Sequence, residues 1–132
     1  MGIIKEKQLV KRAIEAMSKA YVPYSNFCVG ACAEASDGTY YTGCNIENSS
    51  YGLTICAERV ALFKAFSEGR REIVALAVAA DVDEPVSPCG ACRQVIAELA
   101  SNSVVILSNR DGTRVEKLAP EDLLPNWFKL GN

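Results

Sequence analysis

The chain has 132 residues, 49% of them hydrophobic and 23% charged, and its fourteen basic and sixteen acidic side chains leave a net charge of −2. That balance excludes the disordered class. The length predicts one domain over residues 1–132 that removes roughly two-thirds of its unfolded surface from water without disulfide staples. A pI near 5.2 lacks the basic excess of a phosphate-tracking surface, so no nucleic-acid partner is expected.

Between Met1 and Lys19 the charges of Lys5, Glu6, Lys7, Lys11, Arg12 and Glu15 interrupt every apolar run, unlike a secretory leader. Ile73 to Ala80, a long apolar stretch of this chain, is far too short for a bilayer. The expectation is a cytoplasmic protein with no membrane partner. In that reducing setting the six cysteines, at 28, 32, 44, 56, 89 and 92, are thiols or metal ligands before they are disulfides.

Val10, Ala13, Ile14 and Met17, with the pair Ile3 and Ile4, recur at helical spacing and predict an amphipathic first helix ending before Pro23. Tyr21 to Asn26 is a loop by its proline and short polar residues. Phe27 to Ser36 and Thr39 to Asn45 form a predicted hairpin around Asp37-Gly38. Cys56 to Ser67 reads as a helix apolar on nearly every side and therefore buried, with Gly69 as its stop. The continuous run Ile73 to Ala80 suits a central strand covered on both faces. A loop with Pro85 and Pro88 leads into a helix from Gly90 to Ala100, with Val95, Ile96 and Leu99 as its inward stripe. Strands at Val104–Leu107 and Thr113–Leu118 follow, and a short helix at Pro120–Leu124 closes the set. The pattern is α/β: a three-layer α/β/α sandwich around one mixed five-stranded sheet, which alone says nothing of chemistry.

The chemistry lies in Cys56-Ala57-Glu58 and, beginning 32 positions after Cys56, Pro88-Cys89-Gly90-Ala91-Cys92. Three thiolates match a catalytic zinc site, which uses three protein ligands and keeps a fourth position for water. The chain contains no histidine, so Cys56, Cys89 and Cys92 are the ligand set. Both clusters fall at predicted helix starts, where the macrodipole and free backbone N–H groups favour thiolate over thiol. Glu58 follows the first ligand by two residues on an otherwise apolar helix. A carboxylate there suits proton transfer between zinc-activated water and a leaving group, the two requirements of hydrolytic deamination. The arrangement matches a recorded signature of zinc deaminases. Three thiolates around Zn²⁺ leave a formal negative charge, and Arg59 is the nearest cation in sequence. It is expected to hydrogen-bond to a ligand sulfur, with a solvated surface arginine as the alternative.

Together with Gly43-Cys44-Asn45-Ile46-Glu47-Asn48 and the stretches Tyr21 to Ser25 and Leu123 to Pro125, these motifs closely resemble the short, all-cysteine class of cytidine deaminases over essentially the whole chain. The resemblance implies hydrolysis of cytidine and deoxycytidine to the uridines with release of ammonia, in pyrimidine salvage. It implies one zinc per subunit and a homotetramer whose active sites neighbouring subunits complete. It assigns Cys56, Cys89 and Cys92 to zinc and Glu58 to proton transfer. Asn45 and Glu47 go to the ribose 3′-hydroxyl, Phe27 to the pyrimidine ring and the Ala57 backbone to the base edge. Tyr51 is placed near the 5′-hydroxyl across an interface, and Phe128 in a neighbour's pocket.

From the residues alone, Phe27 also fits a core position, and Asn45 and Glu47 also fit turn residues. Cys28, Cys32 and Cys44 lie on predicted strands and read as small buried hydrophobes. Two competing functions remain at this level. One is deamination of a nucleoside-like antibiotic such as blasticidin S, against which Phe27 and Asn45-x-Glu47 favour a plain nucleoside. The other is a zinc-stabilised binding module, against which Glu58 speaks because a structural site needs no free carboxylate.

Overall fold

The computed structural model describes residues 2–131. Met1 and Asn132, the ends of the expected domain, lie outside the described residues, as do the side chains of Ile3 and Ile4 that belong to the expected first-helix pattern. The elements in chain order are α1 (Ile3–Met17), β1 (Val29–Ala35), β2 (Tyr40–Cys44), α2 (Ala57–Ser67), β3 (Ile73–Ala80), α3 (Gly90–Leu99), β4 (Val104–Ser108), β5 (Val115–Leu118) and α4 (Pro120–Leu123). The sequence expectations match these within a few residues. A single 3₁₀ turn at Tyr51–Leu53 was not among them.

The five strands form one sheet in the order β2-β1-β3-β4-β5. Only β3 and β4 run parallel; the other three pairs are antiparallel, so the sheet is mixed. The two faces follow directly from strand periodicity. Cys32, Ala75, Ala77, Ala79 and Ile106 point to Leu9, Val10 and Ala13 of α1. The alternate residues Ala31, Ala33, Leu76, Val78, Val105 and Leu107 pack with Ala57, Ala61, Leu62 and Ile96 of α2 and α3 on the other face. β3 is central and is buried along its length except at Val74, as a continuous apolar run requires.

Small strand residues let the helices approach closely. Gly30 faces the α1 backbone and Gly43 faces the α2 backbone at distances that leave no room for a Cβ. Gly69, at φ +90°, ends α2 in the left-handed conformation expected of a helix stop.

Two expectations need correction. The α2 helix is not buried on nearly every side: Phe63 is 43% exposed, Lys64 is exposed, and Val60 and Phe66 are half-buried. It lies across β1 and β2 beside α3, which covers one flank and leaves its outward stripe open. Of Cys28, Cys32 and Cys44 only Cys32 is fully buried. Cys28 precedes β1 and Cys44 ends the edge strand β2, so both sit at strand ends where the helices give less cover.

Candidate metal centre and its cavity

Cys56 and Cys89 are the residues immediately before α2 and α3, both with extended backbone, and Cys92 lies in the first turn of α3. Two helix N-termini therefore converge on one point, and their free N–H groups and dipoles favour negative sulfur there. The three Sγ atoms lie within 4.8 Å of one another. Tetrahedral zinc with Zn–S bonds of about 2.3 Å sets its sulfurs about 3.8 Å apart, and the Cys56 and Cys89 sulfurs are 3.7 Å apart. The trio thus fits one zinc ion per chain. Among the described residues, no carboxylate joins it as a fourth ligand, the pattern of a catalytic rather than a closed structural site.

The thiols do not ionise independently. A hydrogen bond from Cys92, with further help from Arg59 and Cys89, draws the Cys56 thiol down to about 5, and the same bond together with burial pushes Cys92 up. The Arg59 guanidinium reaches back one turn, Nη2 donating to Cys56 Sγ at 3.4 Å. Of the two readings open for Arg59, the structure therefore favours contact with the cluster over a solvated surface position. Cys32, by contrast, is a packed thiol on the far face of the sheet, raised to about 11 by burial.

Glu58 is 4% exposed, and its Oε1 is buried without a hydrogen-bond partner. Leaving such a group unpaired is costly unless something outside the chain pairs with it. Burial, with the nearby Cys56 charge adding to it, pushes the carboxyl up to about 7. Glu58, Cys56 and Cys89 all line one cavity of about 310 Å³.

The rest of that cavity is assembled by a small network of extended backbone. Asn45 O accepts from Tyr21 N–H, Glu47 N–H donates to Tyr21 O, and Ile46 exchanges both backbone bonds with Ile55. These bonds draw together the loop after α1, the segment after β2 and the residue before Cys56. Asn45 uses its amide to tie this segment to the entry of β1: Nδ2 donates to Phe27 O at 2.8 Å and Oδ1 accepts from Val29 N–H at 2.9 Å. Glu47 is 4% exposed and accepts from the backbone N–H groups of Tyr24 and Ser25 at 3.1 and 3.2 Å and from the Ser25 hydroxyl. The Ser25 bond, followed by those backbone donors, holds its carboxyl below the usual range.

The cavity brings together Phe27, Asn45, Glu47, Tyr51 and Glu58 with Cys56 and Cys89. Ala57 is buried as the first residue of α2. Phe128 is not part of the lining: the residue is 69% exposed, and its carbonyl accepts from Gln94 Nε2 at 2.9 Å. Ser25, Thr54, Val86 and Ser87 also line the cavity. They are loop residues brought in by long-range contacts, and no periodicity marks them in the sequence.

An α/β/α sandwich carrying three convergent cysteines beside a buried carboxylate defines a zinc hydrolase site. Comparison with known proteins narrows the class. Residues 3–108 match the family model described as the cytidine and deoxycytidylate deaminase zinc-binding region. A cytidine deaminase of Halalkalibacterium halodurans is 55% identical over 123 residues, covering 92% of each chain. The crystal structure of cytidine deaminase from Burkholderia pseudomallei superposes with a TM-score of 0.89 at 46% identity, covering 97% of this chain and all of that one. The corresponding structure from Mycobacterium tuberculosis gives a TM-score of 0.78 at 39% identity, covering 95% and 98%. The chain belongs to the cytidine deaminase family of zinc-dependent hydrolases.

Proposed function

We propose that the chain forms one domain that converts free cytidine and deoxycytidine to uridine and deoxyuridine with release of ammonia, a step of pyrimidine salvage. The observation that carries this reading is the buried, unpartnered Oε1 of Glu58, which shares one cavity with Cys56 and Cys89 of the three-cysteine cluster. Zinc held by those three sulfurs supplies the Lewis acidity that makes hydroxide available from water near neutral pH.

Glu58 does the proton work. Its carboxylate takes one proton from water and hands it to ring N3, while the oxygen adds to C4. It then takes the second proton from that oxygen and gives it to the amino nitrogen. As the C4–N bond breaks, its electron pair leaves with ammonia and the C4 carbonyl forms. One water is consumed, with one of its protons on N3 of the product and the other on ammonia. Arg59, donating to Cys56 Sγ, offsets the excess negative charge of three thiolates and keeps the ion electrophilic.

Phe27 lies against the pyrimidine face, and the Ala57 backbone reads the base edge. Glu47 takes the ribose 3′-hydroxyl, and Asn45, both of whose amide ends bridge to β1, offers the second Nδ2 proton to the same hydroxyl. A carboxylate kept ionised and nearly buried beside the sugar repels a 3′-phosphate, so the free nucleoside is the substrate. Tyr51, Leu53 and Phe128 are 60%, 72% and 69% exposed around and beyond the cavity mouth, and Phe63 leaves an apolar stripe on α2. Exposed apolar side chains at these places support association between copies of the chain, and the assembly we propose is the homotetramer implied by the family resemblance, with Tyr51 and Phe128 reaching a neighbour's site.

The test is an ultraviolet assay of purified, zinc-replete protein on cytidine, deoxycytidine, their monophosphates and blasticidin S. Turnover of the two nucleosides with much lower kcat/KM on the others is expected. Comparable values for the monophosphates at matched ionic strength overturn the substrate assignment.

A further inference from the structure

Burial holds two of the three sulfurs more firmly than the third. Cys92 is buried inside α3 and Cys56 is half-buried, whereas Cys89 is exposed. The segment that delivers it is also weakly held. Among the described residues, Glu84 to Pro88 make no backbone-to-backbone hydrogen bond, and Pro85 and Pro88 have no N–H to offer. Yet Val86 and Ser87 form part of the cavity wall.

One side chain supplies what the backbone does not. Arg93 donates from Nε to Pro88 O at 2.8 Å, from Nη2 to Ser87 Oγ at 2.6 Å and from Nη1 to Leu123 O at 2.7 Å. Its own backbone N–H donates to Cys89 O at 2.9 Å. Leu123 ends α4, so its carbonyl is one that the helix itself cannot pair. A cation reaching back to a helix N-terminus works against the macrodipole. Three charge-assisted bonds in one planar fork offset that cost, and a lysine ammonium cannot span the same three acceptors.

We propose that Arg93 is a positioning residue for Cys89: its guanidinium locks the Ser87–Pro88 segment against α4 and so holds the exposed sulfur and the adjoining cavity wall in place. This rests on the reading of Cys89 as a zinc ligand. The zinc-loaded protein tests it through Arg93→Ala, Arg93→Lys and Cys89→Ser, read by the rate of zinc transfer to a chromophoric chelator, by kcat and KM, and by thermal unfolding. Loss of a group that orients a metal ligand costs on the order of 10- to 100-fold in metal retention, so Arg93→Ala should release zinc faster by that factor. Arg93→Lys should fall between, and added methylguanidinium should slow release from the alanine variant. Should Arg93→Ala fail to fold, Arg93→Lys carries the test by the same measure. A wild-type release rate in the folded variant overturns the proposal, as does faster release that only tracks global unfolding and is indifferent to methylguanidinium. If Cys89→Ser loses zinc while Arg93→Ala releases it at the wild-type rate, the ligand reading stands and the positioning proposal fails. If Cys89→Ser keeps zinc as tightly as the wild type, the ligand reading itself falls.

Discussion

Two glycines on opposite faces of the sheet separate the geometry of the site from the stability of the fold. A Cβ at Gly43 would lie 2.5 Å from Ala57 O, 2.6 Å from Ala61 N and 3.0 Å from Val60 Cβ, all on α2. Ordinary contacts of this kind begin at 3.4 Å, so Gly43→Ala must push the start of α2 outward by about 1 Å, a displacement that alone can cost ~100-fold when it moves reacting groups. The moved segment carries Cys56 and Glu58 at its N-terminal end. A Cβ at Gly30 would meet Ala13 O at 2.0 Å and Met17 N at 2.7 Å, on α1 and away from the cavity lining. Overpacking of either kind destabilises by roughly 1–3 kcal/mol. Both variants should therefore melt lower, Gly30→Ala at least as much as Gly43→Ala. Per folded, zinc-replete molecule, only Gly43→Ala should lose kcat/KM on cytidine, by on the order of 100-fold. Thermal melts paired with the ultraviolet assay decide it. Wild-type kcat/KM in folded Gly43→Ala, or an equal loss in Gly30→Ala, would refute the argument that α2 placement sets the chemistry.

Further consequences follow from single side chains. Glu58→Gln keeps the three sulfurs but cannot carry protons, so it should retain one zinc per chain by metal analysis and lose at least ~10²–10⁴-fold in kcat. Arg59→Gln removes the donor to Cys56 Sγ and should weaken zinc retention and kcat together, by roughly 10- to 100-fold; unchanged values in both would return Arg59 to the surface reading. Ser25→Ala acts through Glu47, whose carboxyl is lowered from 4.5 chiefly by the Ser25 bond. A depressed carboxyl contributes stability that is present above its unfolded value and lost as the pH falls through the folded one. The stability gap between wild type and Ser25→Ala should thus be full at pH 7 and shrink below about 4.5 in denaturant titrations; a gap independent of pH contradicts it.

What the sequence made legible was local. The uninterrupted apolar run of β3, the two cysteines that precede helices and the lone carboxylate two residues after Cys56 each announce themselves by spacing or by contrast with their neighbours. Their joint meaning is legible too, because three thiolates leave open the position that a structural zinc site closes, and the adjacent acid is a group that such a site does not need. Contacts that join distant segments were not legible. Ser25 meets Glu47 across 22 positions and Arg93 meets Leu123 across 30, and neither pair leaves a periodic trace. The exposure of Phe63 was hidden for a different reason: an apolar helix face reads the same whether its own chain or another copy covers it. Phe128 is similar, since an exposed aromatic has its partner, if any, outside the chain.

The proposed chemistry depends on three sulfurs and one exchangeable oxygen around a single ion. X-ray absorption at the zinc edge of the purified protein measures that directly. It should show one zinc per chain with three sulfur neighbours at about 2.3 Å and one oxygen or nitrogen at about 2.0 Å, and the light-atom shell should respond to an added nucleoside analogue. Four sulfurs, a shell without sulfur, or no bound zinc would contradict it.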